Sequence, residues 1–141
     1  MIIEIRDLLR GLKPSDRIEI PNPYEIIANP EAFLDNGFAV VIKPRSNTEG
    51  LNSPARAIEA TMTVVLTNGV RDADLKVSSR LAAEDSLYTD ATSLTNDILK
   101  LPGITGKDFV GDNGIEYLDP EKHRILKLEL EFNFTYKEVL T

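Results

Sequence analysis

The sequence predicts an α+β domain in which a mixed or antiparallel β-sheet of about four strands carries one long helix and one short N-terminal helix. Three observations point there. First, the chain closes on "HRILKLELEFNFTYKEVLT", where Leu126, Leu128, Leu130, Phe132, Phe134 and Tyr136 alternate with Lys127, Glu129, Glu131, Asn133 and Thr135. A period of two gives a strand one buried and one wet face, whereas on a 3.6-residue period the same side chains would scatter around the helix. Second, the alternation recurs from Ile58 to Leu66, with Ile58, Ala60, Met62, Val64 and Leu66 on one face and Glu59, Thr61, Thr63 and Val65 on the other. Third, a long stretch of helical periodicity lies between these two strands.

Taken in order, "IIEIRDLLRGL" places Ile2, Ile5, Leu8, Leu9 and Leu12 at helical spacing, and the helix ends between Gly11 and Pro14. The following "RIEIPNPYEIIANPEAFLDNG" holds prolines at 21, 23 and 30, which forbid a long regular element. A short extended piece around Ile18 to Ile20 and a helical turn at Pro30 to Leu34 are expected. "GFAVVIKP" is an apolar run bounded by Gly37 and Pro44, which suits a buried strand. A polar, flexible loop is expected over 44–57, "PRSNTEGLNSPARA".

The main helix is expected from Leu75 to Leu101, with Leu81, Tyr88, Ala91, Leu94, Thr95, Ile98 and Leu101 as its buried stripe and Pro102–Gly103 as its stop. Then "KDFVGDNGIEYLDPEKHR" supplies turn residues around a short strand at Ile115 to Leu118, which pairs with the C-terminal strand. The whole chain of 141 residues reads as a single domain.

Composition narrows the function. The absence of cysteine excludes disulfides, thiolate catalysis and cysteine-based metal sites, and the single histidine, His123, excludes multi-histidine sites. A net charge of -7 opposes a free-standing grip on nucleic acid, because phosphate affinity comes from clustered Lys and Arg. No apolar run approaches the roughly 20 residues of a membrane span, and the charged start does not read as a signal peptide, so a cytoplasmic origin is expected.

Local patterns do not assemble into an active site. "GDNG" with Asp108, Asp112 and Glu116 lacks calcium-loop spacing and reads as a turn. Glu84, Asp85, Asp90 and Asp97 do not share one helix face and read as a solvated surface. His123 beside Asp119 and Glu121 reads as an exposed turn. Gly103, Gly106 and Gly111 follow a helix instead of preceding one, which rules out a dinucleotide fingerprint. No catalytic residue, metal ligand or cofactor site is therefore expected, and function falls to surfaces. The strongest surface candidates are Lys43, Arg45, Glu49 and Arg56 in and beside the loop, locally basic on an acidic chain, and Glu129 and Glu131 on the polar face of the last strand. That strand's polar face or edge is expected to be free to meet a neighbour.

The order N-terminal helix, "GFAVVIKP", variable loop, "ATMTVVLT", long helix to "DILKL" and closing pair "IEYLDPEKHRILKLELEFNFTYKE" resembles the tail terminator (tail completion) proteins of long-tailed bacteriophages over nearly the full length. The resemblance implies a non-enzymatic, cofactor-free virion protein, assembled in the host cytoplasm. It would form a homo-oligomeric, hexameric ring at the head-proximal end of the tail tube, end polymerisation of the tail tube protein and offer its other face to a head-completion (neck) protein. DNA would only pass through the lumen, and no membrane is involved. The alternatives are a head-completion or stopper protein of the neck and, from another class, a small monomeric ligand-binding module.

Overall fold

The structure, a computed structural model, describes residues 2–20, 36–47, 55–70, 77–101, 105–117 and 125–139. In chain order they form α1 (Ile2–Arg10), β1 (Ile18–Glu19), β2 (Gly37–Asn47), β3 (Ala55–Gly69), α2 (Val77–Lys100), β4 (Thr105–Asp112), β5 (Glu116–Tyr117) and β6 (Ile125–Val139). The architecture is α+β, with one six-stranded mixed sheet, a main helix and a short helix. Six strands replace the four expected. The strand expected at Ile115 to Leu118 is β5, 2 residues long and paired with β6 as expected, and the extended piece expected near Ile18 to Ile20 is the 2-residue β1; the strand that was not expected is β4.

The sheet order is β1-β2-β3-β6-β4, with β5 also on β6. Only β1–β2 is parallel; the other pairings are antiparallel. The two longest strands, β3 and β6 at 15 residues each, lie side by side at its centre, paired from Gly69↔Ile125 to Ala55↔Val139. This register puts the two apolar faces together. Ala60, Met62, Val64 and Leu66 of β3 and Leu126, Leu128, Leu130, Phe132 and Phe134 of β6 are all buried in the main core. Fully burying each large side chain is worth about 1.5–3 kcal/mol. Ile5 and Leu9 of α1, Phe38 and Ile42 of β2, and Leu87, Ala91, Leu94 and Ile98 of α2 complete that core on the same side. Phe109 of β4 stacks at a tilt on Phe132, with ring centroids 5.1 Å apart.

Several expectations are corrected. The loop expected over 44–57 is strand at both ends: β2 runs to Asn47 and β3 starts at Ala55. Lys43, Arg45 and Arg56 therefore sit on strands, while Glu49 lies outside the described residues. The segment expected to be turn before Ile115 instead holds β4, which pairs with β6 from Thr105 to Asp112. As a result β6 is an interior strand from Leu126 to Thr135, flanked by β3 on one side and by β4 and β5 on the other. Leu8, Leu81 and Tyr88, expected to be buried, are exposed, and Val65, expected on the wet face, is buried. The helical turn expected at Pro30 to Leu34, the 119–123 turn, His123 and the side chain of Tyr136 lie outside the described residues.

The opposite face carries a small second cluster of Ile20, Ala39, Val65 and Ile125. Ile20 crosses the end of the sheet so closely that a Cβ on Gly37 would fall 2.3 Å from its Cδ1 and 2.5 Å from Thr67 Oγ1. Only glycine fits there.

At the same end, Arg17 is buried and joins three elements. Its Nη1 donates to the carbonyl of Thr67 at 2.9 Å, to that of Gly37 at 3.3 Å and to Asn68 Oδ1 at 2.8 Å. Its Nε donates to Asp90 Oδ2 on α2 at 2.7 Å, and Nη2 lies 2.7 Å from the same oxygen. Asn68 Nδ2 in turn donates to the carbonyl of Ala83 at 2.9 Å. Asp90, expected to be solvated, is thus the helix's anchor to the sheet.

Two outcomes test this packing. Arg17→Met strands two backbone carbonyls and a carboxylate, and urea unfolding will show a loss of roughly 3–5 kcal/mol; Arg17→Lys, which keeps the charge without the planar fork, will recover only part of it. Gly37→Ala will cost about 1–3 kcal/mol by overpacking against Ile20, read as a lower urea midpoint at unchanged slope.

Candidate assembly surface

The helices cover one face of the sheet. On the other, Thr61, Thr63, Glu129, Glu131, Asn133 and Thr135 are all half-buried, lying flat among neighbours across the strands. Glu129 is held from two sides: Lys127 Nζ lies 3.2 Å from its Oε1, and Asn113 Nδ2 donates to its Oε2 at 3.2 Å. Lys127 also faces Glu116 at 3.6 Å. Glu131 stands opposite Thr63, nearer the middle of the face.

The two edges of the sheet are both blunted. Along β2, Ile18 and Ile20 donate to the carbonyls of Asn36 and Phe38, so even-numbered residues of this strand point their backbone groups away from β3. Pro44 falls on that outward set, where its missing N–H removes no ladder bond, and a register shift at Arg45 follows immediately. Exposed Lys43 adds a charge beside them. At the far edge, β4 is irregular between Thr105 and Asp108 and again between Phe109 and Gly111, where Gly111 has φ 147°. Proline, lysine and bulges on edge strands all oppose strand addition.

The centre of the sheet continues past its helical cover. Lys107 Nζ donates to the carbonyl of Leu101, just after α2, and Thr105 pairs with Thr135, which pairs with Glu59. The helix therefore ends near the Glu59↔Thr135 level. Beyond it the β3–β6 ladder runs on to Ala55↔Val139, about 13 Å of further strand. Arg56 is in register with Glu138 on this extension, and Arg45 and Asn47 of β2 flank its start.

On the helical side a groove of about 220 Å³ lies between α2 and β4, bounded by Tyr88, Thr92, Asn96, Phe109 and Asp112 over Leu130. Three exposed apolar side chains stand along this side of the helix, with exposed Asp85, Thr92 and Asn96 between them. Leu81, Tyr88 and Leu99 are 57%, 46% and 39% exposed and share one line of the helix, about a quarter turn from the buried line Leu87, Ala91, Leu94 and Ile98. Tyr117 of β5 is also exposed and donates its hydroxyl to Glu84. That bond to a carboxylate raises the Tyr117 pKa, with burial adding a smaller push in the same direction.

Of the residues singled out from sequence, Lys43, Arg45 and Arg56 come to one end of the sheet, and Glu129 and Glu131 to its open face. The exposed apolar line on α2 was missed: two apolar lines on the helix blend into one when read without separating their angles. Listing Leu87–Ala91–Leu94–Ile98 first, at spacings of four, three and four, leaves Leu81, Tyr88 and Leu99 as a second line.

Among the described residues no group of three or more His, Cys, Asp or Glu side chains is placed to hold a metal ion, and no helix is long and apolar enough to cross a membrane. No family model matches the chain, and no curated protein matches its sequence.

The Tyr117–Glu84 bond gives a pH signature. A phenol whose folded pKa is raised keeps its proton in the folded state while the unfolded chain loses it. Stability from this bond is therefore present below the unfolded pKa of about 10 and is lost as pH rises through the higher folded value. Spectrophotometric titration will show one tyrosine ionising late, and Glu84→Gln will bring it back toward the others.

Proposed function

We propose that this protein is a structural subunit that assembles into a ring, and that the ring is the tail terminator of a long-tailed bacteriophage. The observation that carries the reading is that, among the described residues, both helices pack on one face of the sheet and the central ladder outruns the main helix. Paired strands are stiff, so an extension of this kind holds a fixed angle to the body, and a fixed angle between two different surfaces closes a ring at one copy number. The blunted edges support it from another direction, since they block open-ended strand addition, the route by which a sheet protein makes fibres instead of rings.

The chemistry of the open face suits a lumen. Glu59, Glu129 and Glu131 lie there among threonines and asparagine. An acidic, uncharged-polar wall repels phosphates and lets DNA slide past without a grip. In this reading one rim of the ring caps the tail tube protein and ends its polymerisation, and the other receives the head-completion protein of the neck.

Among the described residues, the groove between α2 and β4 is a feature that a monomeric ligand-binding module could use, and its size does not favour that alternative. Its 220 Å³ is below the roughly 300–1,000 Å³ of small-molecule pockets. Two hydroxyls lining it are already committed, Thr92 to the carbonyl of Tyr88 and Thr95 to that of Ala91.

Electron microscopy of particles assembled without this protein tests the role. Overlong or unjoined tails beside DNA-filled heads are expected. Normal-length tails detached from leaking heads would move the protein to the stopper position in the neck, and intact particles would overturn a virion role altogether.

A further inference from the structure

The sequence holds three Asn-Gly pairs, Asn36–Gly37, Asn68–Gly69 and Asn113–Gly114. Asparagine before glycine is the pairing most open to loss of its side-chain amide, because the next backbone nitrogen, on a residue without a side chain, reaches the amide carbon unhindered. Read as sequence, the three pairs are alike. We propose that the fold protects two of them and leaves Asn113 as a site of spontaneous deamidation, whose product releases the β4–β5 turn from β6. The inference does not depend on the ring reading.

Asn68 is 2% exposed, and both ends of its amide are engaged: Oδ1 accepts from Arg17 Nη1, and Nδ2 donates to the carbonyl of Ala83. Its glycine, Gly69, is held in the central ladder opposite Ile125. Asn36 accepts the amide of Ile18 at its backbone carbonyl, and Gly37 beside it is buried where Ile20 and Thr67 crowd its Cα. In both pairs the attack would have to move backbone that the sheet holds, so it waits on local unfolding.

Asn113 is exposed and lies between β4 and β5, outside both strands. Gly114 has φ 74°, and a Cβ placed on it would meet nothing within 4 Å, so the turn is open around the attacking residue. The Gly114 N–H donates to Asp112 Oδ1 at 2.8 Å, a carboxylate placed to receive its proton. Among the described residues the Asn113 amide is held by Glu129, through an exposed bond from Nδ2 to Oε2 at 3.2 Å.

The step balances with water as the only co-reactant. Gly114 N bonds to Asn113 Cγ and the Cγ–Nδ2 bond breaks; the Gly114 proton, passed through Asp112 and solvent, leaves with that nitrogen as ammonia. Water then opens the cyclic imide at either carbonyl, which gives aspartate or isoaspartate at position 113. A donor facing Glu129 has become a carboxylate, on a chain whose net charge is already -7. Like charges this close repel. The turn then parts from β6 at the 3.3 Å bond from Asn113 N to the Glu129 carbonyl, and the Glu129 carboxylate is left to Lys127.

The folded protein is aged at mildly alkaline pH beside a sample aged in urea, and both are peptide-mapped by mass spectrometry. In urea the three pairs are expected to lose their amides at similar rates, whereas in the folded protein Asn113 reacts at least about tenfold faster than Asn36 or Asn68. Asn113→Gln, whose longer side chain does not close the same ring, is expected to remove the mass gain from that peptide. Asn113→Asp is expected to speed hydrogen exchange over residues 112–115 several-fold. A folded protein in which Asn36 or Asn68 reacts as fast as Asn113, or one that keeps all three amides while the urea sample loses them, overturns the site. Unchanged exchange in Asn113→Asp overturns the release of the turn.

Discussion

The guanidinium of Arg17 holds this structure in its particular form. A buried cation is costly unless its donors are met, and here Nη1 is met by the end of the β2–β3 ladder and Nε by Asp90 on α2, whose carboxylate also pairs in charge with Nη2. Because the guanidinium is planar and its donors point in fixed directions, satisfying all of these partners at once leaves α2 little freedom to roll on the sheet. Asn68, bonded both to Arg17 and to the carbonyl of Ala83, fixes the helix a second time, two turns before Asp90. Rolled as it is, the helix buries Leu87, Ala91, Leu94 and Ile98 and presents Leu81, Tyr88 and Leu99 beside β4. The exposed line is therefore a consequence of the same interaction that orients the core.

The centre of the fold was legible in the sequence because the centre is where periodicity is enforced. In β3 and β6 every second residue must enter the core, and a shift by one would turn Leu128, Leu130 and Phe132 into the open face. The edges were harder to read for the converse reason. In "TGKDFVGD" the adjacent Phe109 and Val110 break alternation, since the strand is irregular on both sides of Phe109 and an edge strand need satisfy only one neighbour. Pro44 looked like a terminator of β2, yet proline ends a strand only where its nitrogen would have to donate, and at Pro44 it points outward. Arg17 could not be found from "PSDRIEIP" at all: its burial depends on Asp90, 73 residues away. Asp90 looked solvated for the same reason.

The candidate site was half legible. The excess of Lys43, Arg45 and Arg56 in a polar stretch is visible as charge, but the residues around them favour turns, so the sequence alone reads as a flexible loop. On a paired ladder the backbone that carries these residues is fixed. This changes what an interaction would cost: a disordered arm must give up conformational entropy on docking, while a strand already hydrogen-bonded to its neighbours gives up little beyond side-chain freedom. Glu129 moves the other way. It was legible as an exposed charge, but Lys127 and Asn113 occupy it within the subunit, which leaves Glu131 the less committed of the two for contact with anything outside.

Blunted edges and a stiff central extension belong together. A sheet protein that must associate with copies of itself runs the risk of pairing by its open strands, which has no natural stopping point. Pro44, the shift at Arg45 and the irregularities of β4 remove that route on both sides. Association is then left to surfaces whose geometry is set by the core. The extension continues β3 and β6, the strands that carry most of the buried apolar face, and the groove lies against α2, whose roll Arg17 determines. In the proposed ring, the central ladder and the Arg17 anchor would both help to hold the surfaces of a subunit at a fixed angle. Loosening either would first spoil closure, before it unfolded the subunit, because a ring accumulates the error of every joint while each core bears only its own.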